Sequence, residues 1–109
     1  MVKKILTEAG FVEGETFEET QFISPPDVTY AVFMDSFTRR GADGVNLLKV
    51  HTYTIEVYSD FPDPEAEARI EAILDKYGIE YDKDDRYWIQ SEQLYQVIYT
   101  FEFIEKLGG

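Results

Sequence analysis

Catalysis needs nucleophiles, acid–base pairs or metal ligands that can meet, and this chain offers few. It holds one His and no Cys, which removes thiol nucleophiles, disulfide scaffolds and cysteine zinc sites. His51 shares one side of a strand-like run with Tyr53, where a hydrogen-bonded core or interface histidine is expected rather than a catalytic base. Ser36, Ser59 and Ser91 could supply a nucleophile for a triad, but none sits in a strand-turn-helix elbow. Asp82, Asp84 and Asp85 begin like a calcium loop, yet Tyr87 stands where that loop needs Gly and Gln93 where it needs Glu. A solvated charged turn is the expectation. The stretch from Gly41 to Gly44 lacks the lysine and the glycine spacing of a phosphate-binding loop. No enzyme, metal or cofactor is therefore expected.

The elements that must position these residues follow from hydrophobic period. Lys3 to Gly10 predicts a short helix, with Ile5, Leu6 and Ala9 on one side and Gly10 ending it; two turns need a surface to dock on. Glu13 to Ser24, closed by Pro25-Pro26, reads as an edge strand or loop. Tyr30 to Met34 is apolar on both faces, as in a central, doubly covered strand. Val50 to Tyr58 alternates, His51, Tyr53, Ile55 and Val57 facing one way, and should pair antiparallel with Tyr30–Asp35 across a long loop, Phe37–Asn46. Asp63-Pro64 opens the clearest helix, with Ala66, Ile70, Ile73, Leu74 and Tyr77 on one stripe and Gly78 after it. Asp82 to Arg86 reads as a turn, Tyr87–Ile89 as a short strand and Gln93–Ile104 as the longest strand. The sum is one α+β domain over residues 1–109: a single, mostly antiparallel sheet of four to five strands with two helices packed on one face.

Composition narrows the function classes. Twenty-two Asp and Glu against 10 Lys and Arg give a net charge of −12, which argues against capture of nucleic acid or an anionic membrane. No apolar run is long enough to cross a bilayer and the start lacks a signal-peptide pattern, so a soluble, intracellular product is expected. Eight Phe, eight Tyr and one Trp are more aromatic area than a core of this size comfortably encloses. Self-association or partner binding is favoured over catalysis. Arg39-Arg40, the one basic doublet beyond the N-terminus, reads either as a docking element for a neighbour's carboxylates or as part of a solvated loop.

The run Tyr30-Ala31-Val32-Phe33-Met34-Asp35, a Gly/Ala/Asp loop, Tyr53-Thr54-Ile55-Glu56-Val57-Tyr58 and Asp63-Pro64-Glu65-Ala66-Glu67 resembles the small tail proteins of long-tailed bacteriophages and prophages. Leu6-Thr7-Glu8-Ala9-Gly10 and the ending, Ser91-Glu92-Gln93-Leu94-Tyr95 through Glu102, extend the likeness over essentially the whole chain. The pattern is similar to the tail-terminator and tail-completion group, with neck and tube proteins as neighbouring readings. That resemblance implies a homo-oligomeric ring, usually of six subunits, which caps the tail-tube protein and meets the head-tail connector in the virion, assembled in the host cytoplasm. It implies no catalytic residue and no cofactor. Phe37, Arg39, Arg40, Asp43 and Asn46 are then the expected inter-subunit contacts. Glu13, Glu15, Glu18, Glu19, Asp82, Asp84 and Asp85 become candidates for an acidic surface that repels DNA passing through the ring. A different class stays open, an acidic protein-binding module that imitates nucleic acid.

Overall fold

The central strand of the sheet sets the length of the molecule. The computed structural model describes residues 1–42 and 45–107, with the backbone alone at 42 and 45–47. In chain order the elements are α1 (Val2–Glu8), β1 (Phe17–Glu19), β2 (Tyr30–Ala42), β3 (Val45–Ser59), α2 (Pro64–Lys76), β4 (Asp82–Lys83), β5 (Tyr87–Ile89) and β6 (Leu94–Lys106). One sheet takes the order β1-β2-β3-β6-β4, with β5 also against β6, and only the β1–β2 pair is parallel. β3 has 15 residues, which at about 3.3 Å each match the 51 Å long axis.

The α+β class with two helices on a mostly antiparallel sheet stands, but the sheet has six strands rather than four to five. The additional strand is β4, where a charged turn was expected. It is two residues long and exposed, held to the body because Lys83 reaches Glu67 at 2.9 Å and Glu71 at 2.7 Å. The expected long loop at Phe37–Asn46 is also corrected. β2 and β3 stay paired from Tyr30↔Tyr58 through Arg39↔Lys49 to Ala42↔Val45, with a bulge at Arg40/Gly41. Gly41 marks that bulge near the tip, and the Phe, Thr and Arg residues before it alternate across a strand. β3 is accordingly longer than β6, which the sequence pattern had ranked first.

Pairing places the odd-numbered residues of β2, β3 and β6 on one face. Ala31, Phe33, Tyr53, Ile55, Val57, Val97, Tyr99 and Phe101 form a single core there with Ile5 and Leu6 of α1 and Ala66, Ile70 and Leu74 of α2. Asp63 caps α2, accepting the Ala66 N–H at 3.0 Å and the Thr29 hydroxyl at 2.7 Å. The short α1 docks as expected: the Arg69 Nε–H donates to the Ala9 carbonyl at 2.9 Å, and Lys76 and Tyr77 both donate to Glu8. Gly10 follows in the left-handed region, at φ +97°. Double covering of β2 holds only at its start, where Tyr30 and Val32 are buried and the Phe22 ring meets Tyr30 edge-on at 5.3 Å.

Glu67 is the one buried residue on α2 that hydrophobic period did not select. Its carboxylate takes Arg86 Nη2 at 2.8 Å and Lys83 Nζ at 2.9 Å, tying the helix to the chain that carries β4 and β5. Tyr99 OH donates to Glu71 at 2.7 Å in the same network; burial and then that carboxylate push the Tyr99 pKa up. Leu74→Ala is expected to lower stability by about 2–5 kcal/mol in urea denaturation, because it opens a cavity in a fully enclosed site. Glu67→Ala is expected to cost about 1–3 kcal/mol and to speed amide exchange selectively at residues 82–89.

Candidate functional site

Both helices sit over one half of the sheet. Past Tyr53 and Phe101 the three long strands continue as an arm whose odd face holds Phe37, His51, Phe103 and Glu105. At the base of that arm His51 is buried and stacked on Tyr53, with ring centroids 5.1 Å apart. Its Nδ1 lies 2.8 Å from Asp35 Oδ1 on β2 and its Nε2 3.1 Å from Glu105 Oε1 on β6. Carboxylates only accept, so both ring nitrogens must donate, and a neutral imidazole has a single N–H. The geometry thus calls for an imidazolium that clasps three strands.

The electrostatics agree with that reading. Burial and the nearby Lys49 oppose the charged ring, but the Asp35 and Glu105 hydrogen bonds outweigh them and raise the His51 pKa above its ordinary 6.5. Glu105, hydrogen-bonded to His51, is held below the ordinary carboxylate value of 4.5. The expectation of a satisfied histidine is met. Asp35 and Glu105 were not singled out from the sequence, because they are diagonal neighbours of His51, one step beyond its direct partners Phe37 and Phe103. Finding them requires the register, and the register was hidden by reading Phe37–Asn46 as a loop.

Of the expected contact residues, Phe37, Arg39 and Arg40 lie on β2 in the arm. Phe37 is 48% exposed, with Lys49 Nζ 3.9 Å and Arg39 Cζ 6.0 Å from its ring centroid. Arg39 and Arg40 are exposed and make no ion pair among the described residues. Asp43 lies outside the described residues, as does the side chain of Asn46, whose backbone faces Gly41. Ile104 on the other face of the arm is 59% exposed. The opposite end of the sheet also presents apolar groups: Val28 and Phe61 border a cleft of about 370 Å³, and Tyr87 and Trp88 are exposed on β5.

The acidic candidates divide between the two sides of the sheet. Glu13, Glu15, Glu18 and Glu19 lie on and before β1, Glu13 paired with Lys3 at 2.8 Å, whereas Asp82, Asp84 and Asp85 lie on and after β4 at the other edge. Within the chain they do not form a single patch. Among the described residues no group of three or more His, Asp or Glu side chains converges in the way a metal ion needs, and no helix is long and apolar enough to cross a membrane.

The clasp has a definite pH window. Stabilisation from His51 is fully present below its ordinary 6.5 and fades as pH climbs through the raised folded value; that from Glu105 is present above 4.5 and is lost as pH falls through its lowered value. The clasp is therefore strongest between pH 4.5 and 6.5. Because the chain has a single His, an NMR titration of the imidazole C–H signals reads it directly. The wild-type midpoint is expected above 6.5, with Asp35→Asn and Glu105→Gln each moving it down. A wild-type midpoint at or below that value refutes the imidazolium clasp. No protein-family model matches this chain, and no curated protein sequence does.

Proposed function

We propose that this chain is a structural subunit of a long-tailed phage or prophage tail, acting as the terminator or completion ring that caps the tail tube and joins it to the head. The observation that supports this most is the arm: a three-stranded extension past the helices that carries exposed Phe37, Arg39, Arg40 and Ile104. Such a projection suits reaching another subunit, since contiguous exposed aromatic and cationic groups are favoured in contacts between proteins. The long-strand pattern and the two helices on one face fit the resemblance carried by the Tyr30–Asp35, Tyr53–Tyr58 and Asp63–Glu67 runs. The role needs no catalysis, metal or cofactor. The net charge of −12 suits a conduit wall, because phosphate is repelled and a passing genome does not adhere.

The test is particle morphology. In a particle-producing strain from which this chain is removed, electron microscopy is expected to find filled heads without tails and tubes of uncontrolled length, with both defects reversed by adding the purified chain. Tails of normal length joined to heads in its absence rule the proposal out. Salt-sensitive capture of one basic host protein, with particles unaffected, favours the acidic-mimic alternative.

A further inference from the structure

Two strips of backbone on opposite sides of the sheet have no strand partner among the described residues. β1 pairs with β2 only at Ala31–Phe33, which leaves the outer edge of β2 open from Met34 to the tip. β5 and β4 pair with β6 only at Leu94–Gln96 and Tyr99–Thr100, which leaves its outer edge open from Phe101 to Lys106. Such edges are templates for a further strand, and natural sheets blunt them with proline, bulges or very short strands. Neither strip holds a proline, and the one bulge lies at the tip, at Arg40/Gly41.

The strips carry opposite charge. Arg39 and Arg40 stand on the β2 edge without an ion pair among the described residues. Beside the β6 edge runs a groove of about 810 Å³ between residues 78–82 and the strand; Glu80, Asp82 and Glu102 line it, and its lining includes no Lys or Arg. We infer that the occupant of this edge is a second copy of the chain, whose β2 arm adds to β6 as a further strand. The inference rests on the ring reading and specifies its contact.

Geometry restricts the register. β2 and β6 are both antiparallel to β3 and so run the same way, which makes the new pair parallel between copies of like orientation. An even stagger is needed to keep both helix faces on one side. A shift of about two residues, ~7 Å, sets Phe37–Gly41 against Phe101–Glu105 and stops short of the edge that β4 occupies at Tyr99–Thr100. Arg40 is then diagonal to Glu102, and Arg39 to Glu105. Because the two surfaces differ, the contact is heterologous and propagates into a ring when the rotation closes.

Charge exchange tests this without relying on loss alone. Arg39→Glu/Arg40→Glu makes both strips acidic, and Glu80→Lys/Glu102→Lys makes both basic. Sedimentation velocity is expected to report self-association of the wild type and a dissociation constant raised about tenfold or more in either variant. An equimolar mixture is expected to return to near wild-type assembly, since each altered strip then meets its opposite. Amide exchange in the wild type should slow at residues 37–41 and 101–105 as concentration rises; circular dichroism checks that both variants are folded. A monomeric wild type at millimolar concentration, a variant that assembles like wild type, or a mixture that fails to recover overturns the inference. So does protection confined to residues 20–29 and 87–95, which would assign association to the other end. A wild type that restores tails in the particle assay yet gains no protection at either strip overturns edge pairing alone and leaves the ring reading standing.

Discussion

Everything in this molecule depends on the pairing of β3 along its length with β2 on one side and β6 on the other. That double ladder satisfies the backbone of the longest strand and fixes which side chains share a face. Once Ile55 is opposite Phe33 and Tyr99, period two does the rest. Shifting the β2 register by one residue would send Phe33 to solvent, and shifting that of β6 would send Tyr99 and Phe101 there, so core burial and register enforce each other. The helices contribute the lid. A seven-residue α1 has no stability of its own, and its order comes from Ile5 and Leu6 entering the core that α2 has closed.

The ladder extends farther than the lid. Beyond the core the strands must hold together with less apolar burial, and the means used there is a polar one. His51 donates to a carboxylate on each flanking strand and stacks on Tyr53, so one side chain ties all three strands at the base of the arm. A buried charge is costly unless it is paired and hydrogen-bonded, and here the carboxylates meet that need on both sides. The arm is consequently coupled to His51 protonation above its ordinary 6.5, whereas the helix-covered half is coupled to protonation through carboxylates such as Asp63 and Glu71, held below their ordinary values.

Much of this was legible in the sequence. Asp63-Pro64 specified α2 through local chemistry, cap and dipole, and the His51–Val57 alternation specified the buried face of β3; both signals lie within a few residues. What sequence reading missed was non-local. Arg39-Arg40-Gly41 looked like loop because glycine and paired charges usually punctuate, whereas cross-strand hydrogen bonds carry the strand through them to the bulge. Asp82-Lys83 pairs with β6 while Lys83 reaches Glu67 and Glu71 on α2, contacts that no local pattern announces. Glu67 itself looked like a first-turn acid favoured by the helix dipole, which it is, and its burial depended on cations 16 and 19 residues downstream that no periodicity relates to it.

The arm's charges bear on why an acidic chain places cations there at all. Arg39 and Lys49 are direct cross-strand partners, and like charges in that position are destabilising. Phe37 offsets part of this by offering its ring to both, a contact worth about 0.5–1 kcal/mol at an exposed site. Arg40, on the other face, has no such compensation among the described residues. For an isolated subunit, replacing one of these cations would relieve repulsion and lose little. For a subunit whose neighbour presents Glu80, Asp82 and Glu102 beside an open strand edge, the same crowding concentrates positive charge where it is attracted most. On the proposed edge pairing, the local cost in the monomer and the carboxylate groove at the far edge of the sheet would be two halves of one arrangement.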